Sequence, residues 1–160
     1  NTLNKNKNKH IELVICGSGY LKDNYLKLIA SLGIQDNVTI SDHFLNPSQL
    51  KYIYNISNFI VIPSIVAKDG DTEGLPVVLL ESLYFGKVTL ASTQSNAPEI
   101  IENKKNGFIF NSSNKNDLDE LMEEILENKF DLNEIEENAK ATGKRYISEN
   151  IAKIHYDHLF

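Results

Sequence analysis

The sequence has one cysteine, one methionine, no tryptophan and four prolines in 160 residues. A single cysteine, Cys16, excludes an internal disulfide and fits a reducing compartment. No apolar run approaches the roughly 20 residues that a membrane-spanning helix requires. An excess of positive charge is also lacking: the net charge is −6, which argues against nucleic acid as the main partner.

What is present is the composition of a globular protein, with 41% hydrophobic and 24% charged residues. The length suits one domain over residues 1–160, long enough to bury a substantial core. Residues 1–9 are polar and without periodicity, which predicts a loop or disordered lead-in. The first residue is Asn, so we expect a fragment of a longer protein.

Predicted strands alternate with predicted helices along the chain. Apolar, β-branched segments predict strands at 10–16, 37–40, 59–63, 87–91 and 107–110. Helical spacing predicts helices at 20–31, at 116–128 and through the closing segment 132–160. Two further helices are predicted: one begins at 47, and another follows the strand at 59–63 and ends at about 85. The alternation predicts an α/β fold with a Rossmann-like, mostly parallel sheet and helices on both faces. The continuous apolar run FIVIP predicts a strand that is covered on both faces.

The segment DGDTEGLPVVLLE, residues 69 to 81, follows the FIVIP strand. Ligands of open α/β sheets bind at the carboxyl ends of the strands, where this loop is expected. Pro76 suits the first turn of the helix that follows, because its missing N–H has no partner there. The amides of Gly74, Leu75 and Val77, with the positive helix end behind them, favour a phosphate.

Two glutamates of this segment, Glu73 and Glu81, lie eight positions apart. Glu81 is surrounded by apolar residues, and a buried carboxylate is costly unless it is hydrogen-bonded. A ribose diol offers two hydroxyl donors to a carboxylate. Glu81 is five residues past Pro76, which is about 7.5 Å along a helix. That is about the distance from a phosphate to the far side of its ribose. The alternative is a helix-dipole acid at Glu73 and a pair of Glu81 with Lys87; the spacing and position favour a ligand.

Other acids and histidines carry weaker signals. Asp69 and Asp71 flank Gly70, so we expect a solvated turn rather than metal ligands. His43 is expected to be a hydrogen-bonded loop residue. His155 and His158 are three apart on the predicted terminal helix, and such a pair without a third ligand is only a weak sign of a metal site. The sequence therefore predicts no metal site.

The glycine-rich turn after the first strand resembles a dinucleotide motif only in part. Gly17 and Gly19 are present, but Lys22 stands where the third glycine would be, which argues against NAD. Cys16, at the end of the strand, is expected to be core packing.

Taken in order, these motifs resemble the donor-binding domain of retaining GT-B glycosyltransferases with the E-x7-E signature. EGLPVVLLE, after a strand ending in PS, resembles the signature itself, and ELVICGSG resembles the strand ending in G-x-G. Two further segments agree in order and spacing: NVTISDHFLNPSQLKYIYNISNFIVIPS and KVTLASTQSNAPEIIENKKNGFIF. The resemblance covers about residues 10 to 128 and is strongest to exopolysaccharide and capsule enzymes.

The resemblance implies a C-terminal GT-B domain and a set of donor contacts. Glu73, implied as the catalytic residue, would meet hydroxyls of the hexose, and Glu81 would hold the ribose diol. The other implied substrate-binding residues are Gly74, Leu75, Pro76 and Val77 at the diphosphate, Phe44 and Leu45 at the base, and Ser64, Gly17, Gly19 and Asn96. The turn Ser95-Asn96-Ala97 departs from the family's G-G. The family's diphosphate-neutralising Arg and Lys, and its amino-terminal acceptor domain, would precede residue 1.

The resemblance also implies an activity. It is transfer of a hexose from a UDP- or GDP-sugar to a glycan or lipid-linked acceptor, with retention, in polysaccharide biosynthesis and without a cofactor. The implied location is the cytoplasm, with peripheral association of the full-length protein at the inner face of the membrane as an option. The fragment alone is expected to be inactive. Two alternatives stay open: a GT-B-like sugar-nucleotide epimerase and a non-catalytic α/β interaction module.

Overall fold

The computed structural model of the chain describes residues 11–17, 19–41, 45–67 and 69–148. Its elements are β1 (Leu13–Cys16), α1 (Lys22–Leu32), β2 (Val38–Ser41), α2 (Pro47–Ile56), β3 (Phe59–Ile62), α3 (Val77–Tyr84), β4 (Val88–Ser92), β5 (Phe108–Phe110), α4 (Asp117–Leu126) and α5 (Leu132–Ser148). Each corresponds to a predicted element, with ends that differ by a few residues. The predicted lead-in 1–9 and the last part of the closing segment, 149–160, lie outside the described residues.

The chain divides into two compact units, Asn1–Leu50 and Lys51–Phe160. In the first unit β1 and β2 form a parallel pair in which Leu13 lies opposite Val38. In the second unit the strand order is β3-β4-β5, again parallel throughout, with Phe59 opposite Val88 and Leu90 opposite Phe108. The predicted parallel α/β fold is confirmed, whereas a single domain over residues 1–160 stays a prediction.

Helices cover both faces of the three-stranded sheet. On one face an apolar cluster joins the strands to α3, a short 3-10 turn (Ala97–Glu99) and α5, with Ile62, Leu79, Leu83, Ala91 and Ala139 among its members. On the other face a second cluster joins the strands to α4 and the start of α5, with Val88, Leu90, Phe108, Ile125 and Ile135 among its members. The two clusters alternate along β4, as side chains of successive strand residues must.

The strand that is buried on both faces is β4 rather than β3. All five residues of β4 are buried, whereas β3 lies at an edge of the three-stranded sheet and its Val61 is 38% exposed. The prediction of a fully covered FIVIP strand is therefore wrong. The apolar run was correct as a sign of a parallel strand, but the apolar cluster on the α4 face of the sheet includes Phe59 of β3 and does not include Val61.

The end of α3 is fixed by its own turn and by α5. Gly86 follows the helix and stops it with a left-handed backbone at φ 65°. Gly143 of α5 meets α3 so closely that a Cβ atom there would lie 2.3 Å from the backbone nitrogen of Tyr84. Among the described helices, none has the length and apolar character needed to cross a membrane.

Candidate functional site

The amino end of α3 lies beyond the carboxyl end of β3 and lacks a side-chain cap among the described residues. Pro76 precedes the helix as its N-cap, with an extended ψ of 129°, so the prediction that it lies within the first turn is wrong by one residue. The N–H groups of Gly74, Leu75 and Val77 have no acceptor among the described residues. These are donors of the kind that a phosphate or carboxylate accepts at a helix N-terminus.

Glu81 is buried inside α3, with 6% of its surface exposed. One carboxylate oxygen, Oε2, accepts a 2.7 Å hydrogen bond from the hydroxyl of Tyr54, a buried residue of α2. The Tyr54 ring stacks on Phe85 at 4.9 Å between centroids, which fixes the hydroxyl. Lys87, the ion-pair partner considered from the sequence, donates from Nζ to the backbone oxygen of Asn55 at 3.1 Å.

Glu73 is exposed at the mouth of the same helix. Its Oε2 accepts a 2.5 Å hydrogen bond from the Ser64 hydroxyl, which follows β3. The adjoining Gly74 accepts, at its backbone oxygen, a 3.1 Å hydrogen bond from the Asn96 N–H. The structure thus brings together four residues that the sequence placed in one site, and joins the loop after β3 to the turn after β4.

Three polar residues beside these glutamates were missed at the level of the sequence. They are Tyr54, which holds Glu81, and Ser92 and Ser112, which join the ends of β4 and β5 through a 2.9 Å hydrogen bond. The serines carried a signal, because Ser64, Ser92 and Ser112 each fall at or just after the end of a predicted strand. Tyr54 carried less, since an aromatic residue on an amphipathic helix is usually core.

The acidic turn before Glu73 has the predicted conformation. Gly70 adopts φ 86°, its N–H donates to Ala67, and the Asp71 N–H donates to the Asp69 side chain at 3.2 Å. Asp69 and Asp71 are both exposed. Across the described ranges no cluster of three His, Cys, Asp or Glu side chains has the arrangement of a metal site.

In the first unit a pocket of about 260 Å³ lies at the carboxyl end of β1. Gly17 and Gly19 line it together with Tyr20, Lys22 and Cys16. Cys16 is exposed, so the prediction that it packs in the core is wrong, because the residue stands where the strand opens into this pocket. Partial desolvation raises the pKa of its thiol above the usual value.

Several predicted residues cannot be placed. Phe44 and His43, and the pair His155 and His158, lie outside the described residues. Leu45, the other residue assigned to the nucleotide base, is half-buried just before α2. The base contact of Phe44 and Leu45 stays a prediction, as do the ligand contacts of all the site residues.

Comparison with known proteins assigns the chain to a family. The family model for glycosyl transferases group 1 matches residues 1–142. A relative from Erwinia amylovora, the amylovoran biosynthesis glycosyltransferase AmsK, is 32% identical over 98 residues, covering 61% of this chain and 24% of its own length. A Campylobacter jejuni protein, GalNAc-alpha-(1->4)-GalNAc-alpha-(1->3)-diNAcBac-PP-undecaprenol alpha-1,4-N-acetyl-D-galactosaminyltransferase, is 28% identical over 150 residues, covering 93% of this chain and 39% of its own length.

Among solved structures, Anabaena Alr3699/HepE in complex with UDP-glucose superimposes with a TM-score of 0.69. The sequence identity is 20%, and the match covers 91% of this chain and 41% of that one. The chain spans well under half the length of the curated relatives it matches. The parallel strands, the covering helices and the family match lead to one conclusion: the chain belongs to the glycosyl transferases group 1 family and has the α/β architecture of GT-B enzymes.

Proposed function

We propose that this chain binds the nucleoside-diphosphate sugar of a retaining hexosyltransferase. The observation that carries the proposal is Glu81, a buried carboxylate held on one oxygen by Tyr54 and preceded by an uncapped helix mouth. An ionised carboxylate has two oxygens with about four acceptor sites, so Glu81 can accept hydrogen bonds from a ligand as well as from Tyr54. A ribose diol supplies two hydroxyl donors. With the phosphates at the amino end of α3, the ribose of the same nucleotide would lie about as far along the helix as Glu81 does.

The diphosphate would lie at the amides of Gly74, Leu75 and Val77, beside Pro76. Free N–H donors and the helix dipole stabilise negative charge, and that charge grows on the diphosphate as it leaves. The hexose would then lie towards Glu73 and Asn96, whose loops are joined through the oxygen of Gly74. Glu73 would accept hydrogen bonds from sugar hydroxyls and is the residue of this chain that we assign to catalysis.

In the proposed reaction the bond between the anomeric carbon and the diphosphate oxygen breaks. A bond forms from that carbon to an acceptor hydroxyl oxygen on the same face of the sugar, and the hydroxyl proton is released. The described residues supply the donor side of this reaction. We assign the acceptor side to parts of the protein outside this chain, because the relatives it matches are much longer.

We propose UDP as the nucleoside diphosphate and a glycan or lipid-linked oligosaccharide as the acceptor. The UDP-glucose complex of the Anabaena protein supports the first choice. The names of the Erwinia and Campylobacter relatives, which mention an exopolysaccharide and an undecaprenol-linked glycan, support the second. An undecaprenol-linked acceptor would place the reaction at the inner face of the membrane.

The proposal is tested by calorimetric titration of UDP, GDP and ADP into the protein expressed from its complete reading frame. We expect UDP to bind more tightly than GDP and ADP. Absence of binding by all three would contradict the proposal. Product analysis with radiolabelled UDP-glucose then separates transfer from epimerisation: a transferase moves label to an acceptor with the anomeric configuration retained, whereas an epimerase returns an isomeric nucleotide sugar without an acceptor.

A further inference from the structure

The three strands of the second unit each end near a serine. Ser64 follows β3 by two residues, Ser92 is the last residue of β4, and Ser112 follows β5 by two residues. Because β3, β4 and β5 are parallel, all three serines lie at the same end of the sheet, where the strands have their carboxyl ends. The loop that carries Glu73 also begins at this end of the sheet, after β3.

A directed series of hydrogen bonds joins these serines. The Ser92 hydroxyl accepts from the Gln94 N–H at 3.0 Å and donates to the Ser112 hydroxyl at 2.9 Å. The Ser112 hydroxyl in turn donates to the backbone oxygen of Ser64 at 3.0 Å. Ser64 donates its own hydroxyl to Glu73. Each of the three serine hydroxyls therefore already donates one hydrogen bond. Successive hydrogen bonds of this kind strengthen one another.

Ser112 holds the central place in the series. β3 and β5 are both neighbours of β4 and not of each other, so the Ser112–Ser64 hydrogen bond spans the end of the middle strand. It fixes the backbone of Ser64, the residue whose hydroxyl orients Glu73. Removing the Ser112 hydroxyl would leave the Ser64 oxygen without this donor and the Ser92 hydroxyl without its acceptor.

We infer that Ser112 is a positioning residue for Glu73 and sets how well the site holds the sugar, as distinct from the nucleotide. This inference rests on the proposed function, in which Glu73 binds the hexose. Ser112 acts through Ser64 and makes no contact with the ligand itself. The series runs from Gln94 through the three serines and ends at Glu73, so we expect the loss of Ser112 to act on the sugar contact and to spare the nucleoside contact at Glu81.

The test uses calorimetry on the protein expressed from its complete reading frame, with UDP and UDP-glucose as probes. For Ser112→Ala we expect the ratio of the UDP-glucose to the UDP dissociation constant to rise about fivefold, with UDP affinity changed by less than about twofold. Ser112→Thr, which keeps the hydroxyl, should restore the ratio. Ser113→Ala is the matched control, because this exposed neighbour joins the local structure through its N–H to Asn111.

A double-mutant cycle with Glu73→Gln decides whether Ser112 acts through Glu73. We expect Ser112→Ala to add nothing to the ratio in the Glu73→Gln background. Equal loss of UDP and UDP-glucose affinity, or an effect that persists without Glu73, would overturn the inference. A ratio unchanged by Ser112→Ala while Glu73→Gln raises it would overturn the inference alone, whereas a ratio unchanged by Glu73→Gln would overturn the proposed sugar role and the inference together.

Discussion

The two glutamates at α3 lie in opposite surroundings: Glu81 is inside the helix, and Glu73 is in the loop that leads into it. Glu81 is buried between apolar side chains and receives the hydroxyl of Tyr54, whose ring is stacked on Phe85. Glu73 is exposed and is oriented by the hydroxyl of Ser64, which lies on the same loop between β3 and α3. A buried, packed carboxylate suits a ligand part of constant shape such as ribose. An exposed one on a loop suits a part that varies between enzymes, such as the hexose, because loops accept changes that cores do not.

The largest effect is expected from Gly143→Ala, where α5 packs against the carboxyl end of α3. Helix propensity alone would favour alanine by about 1 kcal/mol, but its Cβ would lie 2.3 Å from the Tyr84 nitrogen. Because a backbone atom cannot move aside cheaply, we expect the free energy of unfolding to fall by about 3 kcal/mol.

Urea unfolding followed by circular dichroism measures this change. Lys144→Ala, one residue further along α5 and exposed, is the control and should alter stability by less than about 0.5 kcal/mol. A Gly143→Ala variant that is more stable than the wild type would show that α5 does not pack against the backbone of α3 as closely as described.

Glu81→Ala is expected to weaken UDP binding by about 100-fold, because hydrogen bonds to a charged group contribute about 1.5–3 kcal/mol each. Calorimetry measures the affinity, and circular dichroism verifies that the variant is folded. Glu120→Ala, which removes an exposed acid of α4, should leave UDP affinity unchanged. Unchanged UDP affinity in a folded Glu81→Ala protein would remove Glu81 from the nucleoside site.

A smaller effect is expected from Tyr54→Phe, which removes the donor to Glu81 and keeps the stacked ring. The carboxylate then loses its orientation, and UDP affinity should fall by about five- to tenfold. Tyr52→Phe provides the matched control, since Tyr52 lies on the same helix and is 62% exposed. An equal loss of UDP affinity in the two variants would argue against a specific role of the Tyr54 hydroxyl.

Much of the fold could be predicted from the sequence, because strands and helices of this chain differ in local pattern. The apolar runs at β1, β3 and β4 and the helical spacing in α4 depend only on neighbouring residues. The burial of β4 rather than β3 could not be predicted this way. It depends on the order of strands in the sheet, because β3 (FIVI) is the more apolar of the two strands and yet β4 (VTLAS) is the more buried.

The site was predicted in part for the same reason. Glu73, Glu81 and the glycine-proline segment between them lie within one short stretch, so their grouping follows from a loop leading into a helix. Tyr54 lies 27 residues before Glu81, and Ser112 lies 48 residues after Ser64. Contacts at such separations arise when α2 packs near α3 and when β5 joins the sheet, and no local pattern encodes them.

The central claim is that Glu81 serves the nucleoside and Glu73 serves the sugar. It is tested most directly by calorimetric titration of UDP and UDP-glucose into the wild-type, Glu73→Gln and Glu81→Gln proteins. The account predicts that Glu81→Gln weakens both ligands by the same factor, whereas Glu73→Gln leaves UDP unchanged and weakens UDP-glucose by about tenfold. Loss of UDP affinity in Glu73→Gln, or full UDP affinity in Glu81→Gln, would contradict it.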